Sequence, residues 1–206
     1  MLISALRTST SSSASCRSGT WGGVVAGTAT LADVTLHHPD GGFDIVAGRS
    51  GSGALSAVDP AALERTLAAL REEAARYDLV LMDLGAGLDR SVRRMSAWAD
   101  ILLVLATDEP TSLTDAYAVL KLYTVDRPAG DMRVVVNQAA THATGERTYA
   151  TLQRACQTFL RRAPTCAGII RRDERVREAI RRQTLLLTRH PASPAAADVE
   201  AIARAL

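Results

Sequence analysis

Hydrophobic positions along this chain recur with two periods, one for short buried strands and one for amphipathic helices. FDIVAG (43–48), LVLMDL (79–84), ILLVLA (101–106), MRVVVN (132–137) and AGII (167–170) are short apolar runs bounded by polar or glycine-containing turns, which predicts strands. Between them the spacing widens to three and four. Asp59-Pro60 predicts a helix N-cap with proline in the first turn, followed by Leu63, Leu67 and Leu70 on one face. DRSVRRMSAWA (89–99) turns Val92 and Met95 inward, with Trp98 as a further core residue, and SLTDAYAVLKLYTV (112–125) aligns Leu113, Tyr117 and Leu120. A helix over 146–160 carries Tyr149, Leu152, Cys156 and Phe159. Another, starting from Asp173, carries Val176 and Ile180, and Ser193-Pro194 caps a last one. Strands alternating with helices predict βαβ units: an α/β fold in three layers, with a mostly parallel sheet and helices on both faces.

The pattern starts only near residue 31. Residues 1–30 are rich in Ser, Thr and Gly, contain no acid and show no sustained period, so they are read as a low-complexity, unstructured N-terminus, with residues 31–206 as one domain. Two arginines, Arg7 and Arg17, make a poor amphipathic transit peptide, which favours a flexible tail or a start that is not the natural one.

Composition adds little beyond this. The chain is 47% hydrophobic and 22% charged, ordinary for a soluble globular protein, and its net charge of +2 does not itself call for nucleic acid. Cys16, Cys156 and Cys166 are odd in number and lack CxxC spacing, which speaks against a disulfide framework and a zinc site; the four histidines show no ligand spacing either. Nearly every base is arginine, and Lys121 is the only lysine. The arginines from 161 to 189 cluster, but Asp173, Glu174 and Glu178 interrupt them and no aromatic residues interleave. A solvated face therefore explains them better than nucleic acid.

Candidate chemistry sits at strand ends. Asp83 closes one apolar strand and Asn137 another, on the side where open parallel sheets bind ligands. Gly85 and Gly87 let the backbone after Asp83 bend close to a phosphate, and an acid beside phosphates commonly holds magnesium or one of its waters. Taken singly, a capping acid and a turn asparagine account for both positions equally well.

Four segments in order change that balance: YDLVLMDLGAG (77–87), ADILLVLATDEPTSLTDAYAVLKL (99–122), RVVVNQA (133–139) and DERVREAIRRQ (173–183). Together they resemble the MinD/ParA family of deviant P-loop ATPases, specifically its flagellar-number regulator branch, FlhG or FleN. The resemblance runs from about residue 31 to the C-terminus. It implies that Asp83 contacts the magnesium shell and the attacking water, with Gly85 in the turn beside it. It also implies that Asn137 reads adenine, and that Arg171, Arg172 and Asp173 stand where the family's PxD loop borders the base. The proline of that loop is absent here.

The resemblance further implies ATP and Mg2+ as cofactors, ATP-driven homodimerisation, protein partners in flagellar or cell-division positioning systems, and a cytoplasmic location, with peripheral attachment at the inner membrane. The chain departs from the family upstream. The family's lysine-bearing glycine loop has no counterpart: GTWGGVVAGT (19–28) and GRSGSGAL (48–55) contain no lysine, and Lys121 falls within a helix. The expected fold is therefore P-loop NTPase-like but N-terminally incomplete, with the first 30 residues standing in for the normal start through truncation, a misassigned start or a frame shift. On this reading the chain is a truncated or pseudo-ATPase member of the family. A non-enzymatic interaction module and a DNA-binding ParA-like protein are the alternatives. The C-terminus PAAADVEAIARAL makes only a thin apolar stripe, which predicts a core-packing helix and no membrane anchor.

Overall fold

The computed structural model describes residues 2–6, 21–38, 41–48, 59–85 and 87–206, in two compact units, Met1–Trp98 and Ala99–Leu206. The first contains β1 (Leu2–Leu6), α1 (Trp21–Val25), α2 (Leu31–Val34), β2 (Thr35–His38), β3 (Phe43–Ala47), α3 (Pro60–Ala74), β4 (Leu79–Asp83) and α4 (Arg90–Trp98). Its sheet has the order β2-β3-β1-β4, and every pair is antiparallel. Since β3 and β4 are both antiparallel to β1, they run in the same direction on either side of it.

The region read as unstructured thus contributes a strand, β1, and a helix, α1. Five-residue elements are too short to show a period, and β1 is specified by pairing with two neighbours rather than by local pattern. α1 lies within the glycine-rich stretch 19–28 and brings Trp21 into the core. The other glycine-rich stretch, 48–55, falls outside the described residues after position 48.

α3 begins as its sequence directs: the Asp59 side chain accepts the Ala62 N–H, Pro60 follows, and Leu63, Leu67 and Leu70 are buried. They pack with Trp21, Leu31, Val34, Val46 and Met95, and Trp98 lies against this cluster. Among the described residues β4 is covered on one face only. Val80 and Met82 turn to the core, whereas Leu79 is exposed and Leu81 is 50% exposed, so its continuous apolar run does not mark a strand buried on both sides.

The second unit follows the βαβ expectation. β5 (Ile101–Ala106), β6 (Asp131–Ala139) and β7 (Thr165–Arg171) pair in parallel in that order, connected through α5 (Pro110–Asp126) and α6 (His142–Leu160). α7 (Glu174–Arg181), α8 (Leu186–Arg189) and α9 (Pro194–Ala205) complete it. Helices cover both faces of β7. A Cβ on Gly145 of α6 would meet Ile169 at 2.4 Å, and a Cβ on Gly168 would meet Ile202 of α9 at 2.4 Å. Neighbouring β7 residues therefore face α6 and α9 in turn, and this unit has three layers. The core includes Val104, Leu120, Tyr123, Val134, Val136, Leu152 and Cys156, with Leu113, Tyr117, Tyr149 and Ile169 packed against it.

Two apolar residues expected inside lie outside. Phe159 is 73% exposed in the last turn of α6, where Leu160 packs instead, and Ile180 is 69% exposed because the short α7 buries Ala179. α6 also starts earlier than its apolar stripe does. A capping box between Thr141 and Thr144 opens it at His142, four residues before the expected start at 146. No helix among the described residues is long and apolar enough to cross a membrane.

Candidate nucleotide site

In the first unit, Asp83 ends β4 opposite Leu2 of β1, and its side chain is exposed. A Cβ on Gly85 would meet nothing within 4 Å, so packing inside the chain does not demand glycine there. Gly87 differs: its φ of 151° lies where side chains are strained. Asp89 then caps α4, accepting from the Ser91 and Val92 amides at 2.9 and 3.0 Å.

In the second unit the polar residues gather where β6 and β7 end. Asn137 lies in β6, and Gln138 after it holds a left-handed conformation, φ 58°. The Gln138 N–H donates to Asn137 Oδ1 at 2.9 Å. That bond fixes which end of the amide is oxygen and leaves the NH2 group and one oxygen lone pair for a ligand. An asparagine with both functions free can pair with the N6/N7 edge of adenine.

The loop after β7 lies beside it, since the Arg172 N–H donates to Ala139 O at 2.8 Å. Arg171 is half-buried and tied to α9. Its Nε and Nη2 donate to the two oxygens of Asp198 at 2.8 Å each, its backbone N–H donates to Asp198 Oδ2 at 2.9 Å, and Nη2 reaches Pro194 O at 3.2 Å. Arg172 is exposed. Asp173 caps α7 through the Arg175 N–H at 3.0 Å and also accepts the Ala195 N–H of α9 at 3.3 Å. Those backbone bonds, the Arg175 one foremost, hold the Asp173 carboxyl below its ordinary pKa.

Asp198 was not among the expected site residues, yet it ties this end together. Its side chain is 5% exposed, and His142 Nε2, in the first turn of α6, lies 3.3 Å from Oδ1. Burial pushes its carboxyl pKa up, but the Arg171 side-chain and backbone bonds and the charges of Arg171 and His142 outweigh burial and leave it lowered. A sequence signal did exist. Asp198 falls three residues after Ala195 and four before Ile202, on the stripe that α9 buries.

No protein-family model matches the chain. Antiactivator FleN of Pseudomonas aeruginosa is 33% identical over 181 residues, which are 88% of this chain and 64% of FleN. Flagellum site-determining protein YlxH of Helicobacter pylori is 27% identical over 75 residues, 36% of this chain and 25% of YlxH. Among solved structures, the septum site-determining protein MinD of Pyrococcus horikoshii, complexed with Mg-ADP, superposes with a TM-score of 0.68 at 18% identity, covering 90% of this chain and 72% of that one. A chain of the MinC:MinD cell division protein complex of Aquifex aeolicus gives 0.70 at 17%, covering 91% and 72%.

The chain is similar in sequence to FleN and shares the fold of the MinD/ParA ATPases.

Its sequence likeness lies with the flagellar regulators FleN and YlxH, and its fold is the α/β fold of P-loop NTPases. The chain spans less than two thirds of FleN, 64% of its length, and a quarter of YlxH.

Measured against the family's nucleotide, the residues present fit one half of it. The Asn137 amide and the loop at 171–173 form a polar edge suited to a base. The triphosphate half does not fit: no glycine loop in these 206 residues carries a lysine, and Lys121 lies on the exposed side of α5. No group of three or more His, Cys, Asp or Glu among the described residues could hold a metal ion by itself, so Asp83 would contribute a single ligand. Of the late arginines, Arg171, Arg177, Arg182 and Arg189 are ion-paired within the chain, to Asp198, Glu174, Glu178 and Glu178 respectively.

Proposed function

We propose that this MinD/ParA-family chain regulates flagellar number or placement through protein partners and retains the base-binding half of the family's nucleotide site. The likeness to FleN over 88% of the chain carries this reading, and the flagellar name of YlxH supports it. Asn137 reads the adenine edge, and residues 171–173 border it. Asp83, with Gly85 in the following turn, stands where a magnesium shell and an attacking water would be held. The bound ligand in this proposal is an adenine nucleotide, ATP with Mg2+ in the family, held here through its base, as Mg-ADP is the nucleotide of the Pyrococcus horikoshii structure.

Phosphoryl transfer depends on charge stabilisation around the β and γ phosphates, and these 206 residues supply no lysine loop for it. We therefore propose that these residues act as a pseudo-ATPase unit, which binds adenine nucleotides without turning them over. The partner is a protein of the positioning machinery, by analogy with the MinC:MinD assembly, and a homodimer is the proposed assembly state.

The regulatory claim is tested by expressing the chain in Pseudomonas aeruginosa with and without its own FleN and counting flagella per cell. A changed count in either background is expected. An unchanged count in both, with the folded chain accumulating, contradicts it.

A further inference from the structure

The buried carboxylate of Asp198 has no role in the resemblance that pointed to the site, yet its contacts converge on that site from three directions. Through Arg171 it holds the end of β7. Through His142 it touches the first turn of α6, which begins just after the Asn137 strand, and it sits itself on α9. α9 holds the same loop a second time, through the Ala195 N–H and Asp173 Oδ2 at 3.3 Å, and the loop in turn meets the Asn137 strand through Arg172 N–H and Ala139 O. These bonds leave the loop at 171–173 little freedom except as α9 allows.

We propose that Asp198 is the positioning residue of the base-binding edge, so that α9 is part of the nucleotide site without touching nucleotide. The proposal rests on the base-binding reading of Asn137 and residues 171–173. Three features separate it from ordinary packing. The carboxylate is spent on the loop's backbone as well as its side chain: the Arg171 N–H has Asp198 as acceptor, where a β-ladder or water would ordinarily serve. Arg171 approaches in a two-pronged arrangement that fixes orientation as well as distance. An uncharged neighbour cannot replace it, because an asparagine in this place turns its NH2 toward the guanidinium donors.

Linkage gives the proposal a second face. If α9 fixes the loop that receives the base, then base binding tightens α9, and whatever loosens α9 weakens base binding by the same factor. A partner that engages the last helix would thus be felt at the base without sharing a surface with it.

The experiment measures ADP and GDP affinity on the full 206-residue chain, for the wild type, Asp198→Asn and Arg171→Gln, with circular dichroism and thermal melting to establish that each is folded. Arg171→Gln is the milder variant, since it leaves the Arg171 N–H bonded to Asp198, and it stands in if Asp198→Asn does not fold. Wild type is expected to prefer ADP. In the variants ADP affinity should fall by about tenfold, the scale of one charged hydrogen bond, while GDP affinity moves little, so that the preference collapses. General destabilisation would lower both affinities together and keep their ratio. A folded variant that retains the wild-type ADP/GDP ratio overturns the positioning role alone. A wild-type chain that binds neither nucleotide overturns the base-site reading, and the positioning role with it.

Discussion

Gly168 shows how a single backbone position carries packing. Its φ of 157° and its contact with Ile202 leave no room for a side chain, because a Cβ would come within 2.4 Å of Ile202. Gly168→Ala should therefore cost about 2 kcal/mol, combining overpacking with backbone strain, read as a lowered urea midpoint. Gly85→Ala should stay within about 0.5 kcal/mol of wild type, since a Cβ there meets nothing. A large loss from Gly85→Ala would show that its backbone is constrained within the chain. Asp198 and Asp173 have lowered carboxyl pKa values in the folded chain, so each binds its proton more readily when unfolded. The stability they contribute is present above the ordinary Asp value, about 3.9, and is lost as pH falls through their lower folded values. Denaturation from pH 6 to pH 3 should show stability falling below about pH 4, with a shallower fall in Asp198→Asn. An unchanged slope would contradict the Arg171–Asp198 account.

Elements differ in how openly the sequence announces them. α3 and α9 each have a cap, a first-turn proline and an apolar stripe, and both formed where those signals placed them. α1, α2, β1 and β2 have four or five residues each, less than two helical turns or a readable alternation, and they hold their places through Trp21, Leu31, Val34 and strand pairing. Exposure at Phe159 and Ile180 marks the limit of stripe counting, because a stripe says which face turns inward but not where the covering sheet ends. The polar edge was half legible. Asn137 stood out at a strand end and the loop at 171–173 through the family resemblance, whereas Asp198 was masked by an alanine-rich helix. Ser193 is fully buried and caps α9 through the Ala196 N–H at 3.2 Å, so Ser193→Ala should cost about 1–2 kcal/mol in a denaturant titration. If it costs nothing, α9 is anchored by its packing and by its bonds to Arg171 and Asp173. The Ala99–Leu206 unit has its own sheet, core and covering helices, so as a fragment it should unfold in one cooperative transition. A fragment without a cooperative melt would show that its core is insufficient.

On the scale of the molecule, one family fold is reached by an uneven route. The second unit carries the parallel βαβ pattern that the sequence predicts. The first interposes an antiparallel strand, β1, between β3 and β4, two strands that run the same way. Sequence could not reveal this, since β1 comes from residues whose local pattern specifies nothing. The likeness to FleN and the MinD superpositions give the chain its relatives and its fold, while the proposed nucleotide site divides into a base half that its residues fit and a phosphate half that they do not. The central claim is that division. It is tested most directly by titrating the folded chain with adenosine, ADP and ATP in turn, each with and without magnesium. The account predicts three affinities within about fivefold of one another, under 1 kcal/mol apart, and nearly independent of magnesium, because the contacts are to the base. ATP binding about a hundredfold tighter than adenosine, dependent on magnesium and lost in Asp83→Ala, would contradict it and show that these residues build a phosphate cradle without the lysine loop.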